Sequence, residues 1–214
     1  RSVGPDTWNN WKATLIRQLY YETRLILEQG GEALNRENRM AEAKKLLREK
    51  LFDWDPKDIK LETGRHYPPY WQGFQIGAQF AFAKLLKNLG SDEIKIDLTP
   101  DTDRDATRIC FALSDHPGIF SRLSGALALV GANVVDARSY TSKDGFATAA
   151  FWIQDSDGAP YDKSRFSRLR GMIEKTLSGE IITRDAIKER DRFKKRERAF
   201  KVPTSITFNN EGSE

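Results

Sequence analysis

The spacing of apolar residues changes period near Gly90, and this change confines the chain to a mixed architecture with helices first and strands second. Before it, Trp8, Trp11, Leu15, Leu19 and Ile26 recur at helical spacing behind the cap-type residues Asp6 and Thr7, and Gly30-Gly31 supplies a stop. Met40, Ala43, Leu47 and Leu51 predict a second helix over about 35–50. Asp55-Pro56 pairs a cap residue with proline at the first helical position, so a short third helix starts there. The prolines of the stretch Gly64 to Tyr70 interrupt regular structure, and a fourth helix is predicted over 71–88.

After Gly90, Ile94, Ile96 and Leu98 alternate with polar residues, the pattern of a half-buried strand. A polar turn over 100–105 leads to a second strand with Ile109, Phe111 and Leu113 on one face. Ile119, Phe120, Leu123, Ala126, Leu127 and Val130 form a helical stripe closed by Gly131. A strand over 133–140, a turn at Lys143-Asp144-Gly145 and a return strand over 146–154 make a hairpin. A last amphipathic helix carries Phe166, Leu169, Ile173 and Leu177 and stops at Gly179, and 205–209 can form one more strand. From Arg108 the order is strand, helix, strand, strand, helix, strand: an α+β, ferredoxin-like βαββαβ unit whose sheet is expected to bury one face under two helices. The division that follows is a helical segment at 1–90, the βαββαβ unit with an extra N-terminal strand at 91–210, and the start of a linker at 211–214.

Composition narrows the chemistry. Hydrophobic residues at 39% and charged residues at 31% describe a globular chain, and no apolar run approaches the ~18 residues of a spanning helix. The opening Arg1-Ser2-Val3-Gly4-Pro5, without an initiator Met or a signal core, reads as a cut inside a longer protein. One cysteine, Cys110, excludes a disulfide framework and a multi-cysteine zinc site, and with two histidines, His66 and His116, leaves no metal-ligating cluster. A cytoplasmic location is the expectation. Nine of the 35 basic and four of the 31 acidic residues lie within 184–201, so this segment carries +5 and the rest of the chain −1. The basic character belongs to an insertion at 183–201, read as a solvated helix. Phosphate-cradling, dinucleotide and nucleophile-elbow motifs are absent, and no catalytic residue is assigned.

The most specific local feature is Ser114-Asp115-His116-Pro117-Gly118-Ile119-Phe120, where a strand turns into a helix. Gly118 permits positive φ and close approach, and the first N–H groups of the helix can hold a carboxylate or phosphate without a cationic side chain. The plainer reading is an ordinary turn with Asp115 as cap. Beyond the same helix stands Gly131-Ala132-Asn133, and Asn133 offers both a donor and an acceptor. The candidate ligand-binding residues are therefore Asp115, Gly118, Ile119, Phe120, Gly131 and Asn133.

The run from Leu113 to Phe120, continued by Gly125-Ala126-Leu127 and by Gly131-Ala132-Asn133-Val134-Val135-Asp136, resembles an ACT domain, a small regulatory βαββαβ module that binds amino acids. Trp8-Asn9-Asn10-Trp11, Arg65-His66-Tyr67-Pro68-Pro69-Tyr70-Trp71, Thr141-Ser142-Lys143-Asp144-Gly145-Phe146 and Phe151-Trp152-Ile153-Gln154-Asp155 are similar to the bacterial PII uridylyltransferase/uridylyl-removing family. The resemblance implies a regulatory, L-glutamine-sensing piece containing the first of two ACT domains, preceded by the end of a His-Asp hydrolase domain. It implies a parent that adds UMP to the PII signalling protein and removes it, with Mg or Mn. The matching stretches carry neither catalytic signature, so no cofactor is expected in this chain. The implied partners are glutamine, PII through the parent, and a second ACT domain or another copy in a homodimer, with no nucleic acid and no membrane. Self-association through a free strand edge is expected unless 94–99 or the basic segment covers that edge. One departure is Gln79-Phe80-Ala81-Phe82, where many relatives carry a histidine. The competing class is an RNA-binding module of the same βαββαβ order, with Phe146 and Phe151 near an aromatic strand motif and the basic segment for phosphates.

Overall fold

Backbone capping and side-chain periodicity divide the chain into a helical layer laid across a four-stranded sheet, with two further helices beneath it. The computed structural model describes residues 32–182, with isolated positions at 13, 16, 17, 19–21, 23, 24, 27, 185 and 186; in the first helix, side chains are described from residue 36. The elements are α1 (Glu32–Lys50), α2 (Pro56–Arg65), α3 (Pro68–Gly73), α4 (Ile76–Leu86), β1 (Lys95–Asp101), β2 (Ala106–Ser114), α5 (Ile119–Leu129), β3 (Asn133–Thr141), β4 (Phe146–Gln154) and α6 (Phe166–Leu177). The helix read behind Asp6, the basic segment and the strand at 205–209 lie outside the described residues, apart from the isolated positions above.

Each helix start has a local cause. Asp55 accepts the Lys57 N–H at 2.8 Å with Pro56 in the first helical position, which begins α2. Pro68 opens α3 from the first helical position without a side-chain cap, so the proline pair starts a short helix as well as ending the preceding one. The single helix expected over 71–88 is two, because Phe74 and Gln75 are extended. Gln79, buried on α4, donates its amide to the carbonyls of Trp71 and Phe74 at 3.3 and 2.7 Å, supplying donors to acceptors that the broken helix leaves free.

The sheet order is β1-β2-β4-β3 with every neighbour antiparallel. β1 lies along the side of β2 that the last strand of a βαββαβ unit would take, in register from Lys95↔Ala112 to Asp101↔Ala106. The edge beside β2 is therefore covered, and among the described residues the outer sides of β1 and β3 are the sheet's margins. β1 runs through Pro100 and Asp101, two residues beyond the alternating pattern; an edge strand tolerates the missing N–H of Pro100.

The expectation of one buried face is corrected: both faces are covered. Ile109, Phe111, Leu113, Ala147, Ala149, Phe151 and Ile153 pack on α5 and α6 through Leu123, Leu127, Leu169 and Ile173. The opposite side chains, Ala106, Cys110, Ala112, Ala150 and Trp152, share a core with Leu47, Leu51, Tyr70, Phe74 and Phe82 of the helical layer. Small residues on that side let helices approach the strands closely, and β2 becomes buried at all positions except Arg108 and Ser114.

Polar contacts fix the register of layer on sheet. The Lys143 N–H donates to the Arg65 carbonyl and Lys143 Nζ to that of Gly64, both at 2.8 Å. Arg65 pairs with Asp144 at 3.2 Å, and the Arg138 guanidinium donates to the Gly73 carbonyl. Lys95 Nζ reaches the carbonyls of Lys87 and Asn88 just past α4. Tyr140 rises from β3 into the space over Gly73, where a β-carbon would collide with its ring and hydroxyl. Because Tyr140 is itself held edge-on to Phe74 at 5.1 Å, it has little room to yield. Gly73→Ala is expected to lower unfolding free energy by about 1–3 kcal/mol. In a Tyr140→Ala background the same change should cost much less; equal costs in both, measured by urea unfolding, would disprove this contact.

Candidate functional site: the loop between β2 and α5

The loop that joins β2 to α5 is shaped by one residue in a left-handed conformation. Gly118 has φ 86° and ψ −1° and stands at the N-cap of α5 with no side chain closing the helix end. The Ile119 N–H turns back to the His116 carbonyl at 3.3 Å. The N–H groups of Gly118, Phe120 and Ser121 find no acceptor among the described residues, and the first turn of α5 carries no acidic residue. An uncapped, positively polarised helix end is thus left facing outward, able to take an anionic group on backbone donors.

Asp115 does not cap α5. Its carboxylate accepts the Thr141 hydroxyl at 2.6 Å, and its N–H donates to the Gly145 carbonyl at 2.9 Å. Both contacts tie the loop to the end of β3 and to the turn that follows. Phe120, expected in the buried stripe of α5, is 42% exposed, with its ring stacked on Phe151 at 5.0 Å. The neighbouring His116 is exposed, with Nδ1 3.3 Å from the Ser114 carbonyl.

Gly131 and Asn133 do other work. Gly131, at φ 76°, ends α5: the Ala132 N–H bonds the Leu127 carbonyl at 3.0 Å and the Gly131 N–H that of Ala128 at 3.1 Å. Asn133 is exposed and opens β3 opposite Gln154. The 11 residues of α5, at about 1.5 Å rise each, span roughly 16 Å. One amino acid therefore cannot touch the Gly118 loop and Asn133 of the same chain.

What adjoins the loop instead was not foreseen. A cavity of about 320 Å³ opens beside Ser114, Asp115 and His116, closed on its far side by Ser91, Asp92, Glu93 and Ile94 ahead of β1 and by Leu177 at the end of α6. Ser114 Oγ donates to the Ser91 carbonyl across it. Only the pairing of β1 with β2 brings 91–94 here. Asp92 and Asp115 give the cavity an acidic side, the complement of a ligand ammonium, beside a helix end suited to a carboxylate, while Glu93 on the same wall is paired with Lys95 at 3.7 Å and accepts the Gly90 N–H at 3.2 Å.

The sheet surface that an RNA-binding module would offer is occupied. Phe146, Ala150 and Trp152 pack into the core shared with the helical layer, and Phe151 lies in the opposite core. Base stacking on Phe146 or Trp152 would require the helical layer to leave, and stacking on Phe151 would require α5 and α6 to leave.

No protein-family model matches the chain. Over all 214 residues it is 64% identical to the bifunctional uridylyltransferase/uridylyl-removing enzyme of Cereibacter sphaeroides, covering 23% of that protein. The enzyme of the same name from Ruegeria pomeroyi is 62% identical over 220 aligned residues, which take in all of this chain and 24% of that protein. That of Gluconobacter oxydans is 36% identical over 224 residues, with 23% covered. The chain belongs to the uridylyltransferase/uridylyl-removing family. It spans about a quarter of the length of these curated relatives.

Within this uridylyltransferase-family segment, the groups with the strongest chemistry lie away from the loop. Cys110 is fully buried in β2, and burial pushes its thiol up to about 12, against the opposing charge of Arg108. His66 is buried with Nε2 3.2 Å from Glu62, and its ring stacks on Tyr70 at 3.5 Å. Burial, aided by the Glu62 charge, holds the Tyr70 hydroxyl well above its ordinary range. Among the described residues no group of three His, Cys, Asp or Glu could hold a metal ion, and no helix is long and apolar enough to cross a membrane.

Two outcomes follow from this geometry. The Cys110 thiol should resist alkylation by iodoacetamide at neutral pH until denaturant is added; rapid labelling of the folded chain would contradict its burial. Gly118→Ala should destabilise the fold by about 1–2 kcal/mol through its positive φ alone, since a β-carbon there meets no atom within 4 Å. An unchanged urea midpoint would show that the loop relaxes to another conformation.

Proposed function

We propose that this chain is the regulatory, glutamine-sensing part of a bifunctional enzyme that attaches UMP to the PII signalling protein and removes it, with the loop from Asp115 to Phe120 in an ACT-like unit as the glutamine site. The observation that carries this reading is the uncapped α5 N-terminus beside the acidic cavity. The free N–H groups at Gly118 and Phe120 suit an α-carboxylate, and Asp115, Asp92 and Glu93 suit an α-ammonium. Ser91 and Ser114 offer hydroxyls for a side-chain amide. Nucleotidyl transfer and hydrolysis, with the Mg or Mn that the resemblance implies, are assigned to no residue of this chain.

The same loop is placed to transmit what it senses. Thr141 holds Asp115, and two residues later Lys143 is bonded to Arg65 and Gly64 of α2. A ligand that draws Asp115 toward its ammonium competes with Thr141, and so biases the hairpin on which α2 rests. Coupling of ~1–3 kcal/mol is the usual size for such linkage. Where another copy of the chain abuts this one, the Asn133 of that copy becomes available to a ligand on the Gly118 loop. That arrangement satisfies both ends of α5, which one copy cannot.

Calorimetry of the chain with a panel of amino acids tests the reading. Glutamine is expected to bind with preference over glutamate, whose extra charge meets Asp92 and Glu93. Gly118→Val should abolish binding, and Asp115→Asn should weaken it by roughly 1–3 kcal/mol. No heat with any amino acid, or equal binding by the Gly118 variant, would remove the site.

A further inference from the structure

A second concave surface lies on the other side of the hairpin from the candidate glutamine loop, between α2 and the β3–β4 turn. It is a groove of about 570 Å³ lined by Lys57, Lys60, Leu61 and Gly64 from one face of α2, by Arg65, and by Lys143 and Asp144 of the turn. The spacing 57, 60, 61, 64 is one helical stripe, and the opposite stripe of α2, with Glu62 and Thr63, is buried. The groove face is therefore not needed for packing, yet it is neither uniformly polar nor charge-balanced.

The charges do not cancel. Arg65 is neutralised by Glu62 at 3.3 Å and by Asp144 at 3.2 Å. Lys57, Lys60 and Lys143 make no ion pair with a carboxylate among the described residues. Nearby, burial and then the charges of Lys143 and Arg48 hold the Lys44 ammonium below its ordinary range, so the surroundings add to the positive field. Between the cations sits apolar surface: Leu61 is 58% exposed and Tyr67 52%, the latter under Lys143 Nζ at 5.7 Å from its ring centroid. Gly64 leaves the floor open, and a β-carbon there would meet nothing within 4 Å.

We propose that this groove docks an acidic protein segment, with carboxylates on Lys57, Lys60 and Lys143 and an apolar side chain on Leu61 over Gly64. Unpaired cations spaced by a helical turn match carboxylates spaced along a peptide, and the exposed leucine between them rewards a hydrophobic anchor that a phosphate or a nucleic-acid backbone does not bring. The occupant touches α2 and the β3–β4 turn at once, so it strengthens the seam between the helical layer and the sheet. This docking is independent of whether the Gly118 loop binds glutamine.

The test uses the full chain and a fluorescein-labelled peptide in which pairs of glutamates alternate with leucine, read by fluorescence anisotropy at low salt. Binding is expected, and it should weaken by about tenfold or more in Lys57→Glu/Lys60→Glu and by about fivefold in Leu61→Ser. Lys175→Glu, on α6 away from the groove, should leave it unchanged. The four positions changed in these variants are exposed and belong to neither core, and circular dichroism melting verifies that each variant folds. Absence of binding, insensitivity to Leu61→Ser, or displacement of the peptide by polyuridylate at equal charge concentration would each overturn the proposal. The last outcome would make the face a general polyanion surface instead.

Discussion

Trp152 is the point on which the two layers of this fold depend. Its Nε1 donates to Asp101 at 2.7 Å, and the guanidinium of Arg104 lies on its ring at 3.8 Å. Arg104 in turn donates to Asp136 at 2.8 Å, Asp136 faces Arg138 at 3.4 Å, and Arg138 reaches the Gly73 carbonyl. One side chain on β4 thereby links the end of β1, the middle of β3 and the end of α3. Burial pulls the Arg104 guanidinium below its usual range while the Asp136 carboxylate opposes that pull. A cation so enclosed is stable only with its partners in place, so the network acts as a register pin whose pieces stand or fall together.

This arrangement decides which parts of the molecule remain able to respond to a ligand. A sheet covered on both faces cannot bend without disturbing two cores, and close-packed interiors shift between discrete arrangements more readily than they deform. The loops at the sheet's ends escape that constraint. The β2–α5 loop and the β3–β4 turn lie at the same end, joined by Thr141 to Asp115 and by Asp115 to Gly145. The turn is also where α2 attaches, through Lys143 and Asp144. The free donors of α5, the acidic cavity and the basic groove all gather around this one hairpin end.

Much of this was legible from residue order, and the parts that were not share a cause. The return strand over 146–154, the stripe of α5 through Leu123 and Leu127, and the glycine stop of α6 came directly from periodicity and turn chemistry. The second buried face of β2 did not, since Ala106, Cys110 and Ala112 give no strong apolar signal and acquire one only when a helix covers them. The break between α3 and α4 was hidden because it rests on a side-chain amide, Gln79, serving carbonyls up to eight positions earlier. The positive φ of Gly118 at a helix start follows from its place between a strand and an apolar stripe, whereas the distance that separates it from Asn133 is set by the length of α5. The cavity wall at 91–94 depends on which strand lies beside β2, and that choice is tertiary.

The position taken by β1 also shapes the site of the proposed regulation. By lying against β2, the strand that follows the helical layer places residues 91–94 over the β2–α5 loop, so one wall of the candidate ligand cavity is the connection from α4. Lys95, at the start of that strand, caps α4 through the carbonyls of Lys87 and Asn88. A ligand that pulls on Asp92 or Glu93 therefore acts on the helical layer from the α4 side, while one that pulls on Asp115 acts on it through Thr141 and α2. The two routes end in the same packed layer, around Tyr70, Phe74 and Phe82. In the proposed reading, a glutamine-sized molecule bridging the cavity engages both routes at once, and a two-sided covered sheet leaves the packed helical layer as the element best able to change arrangement.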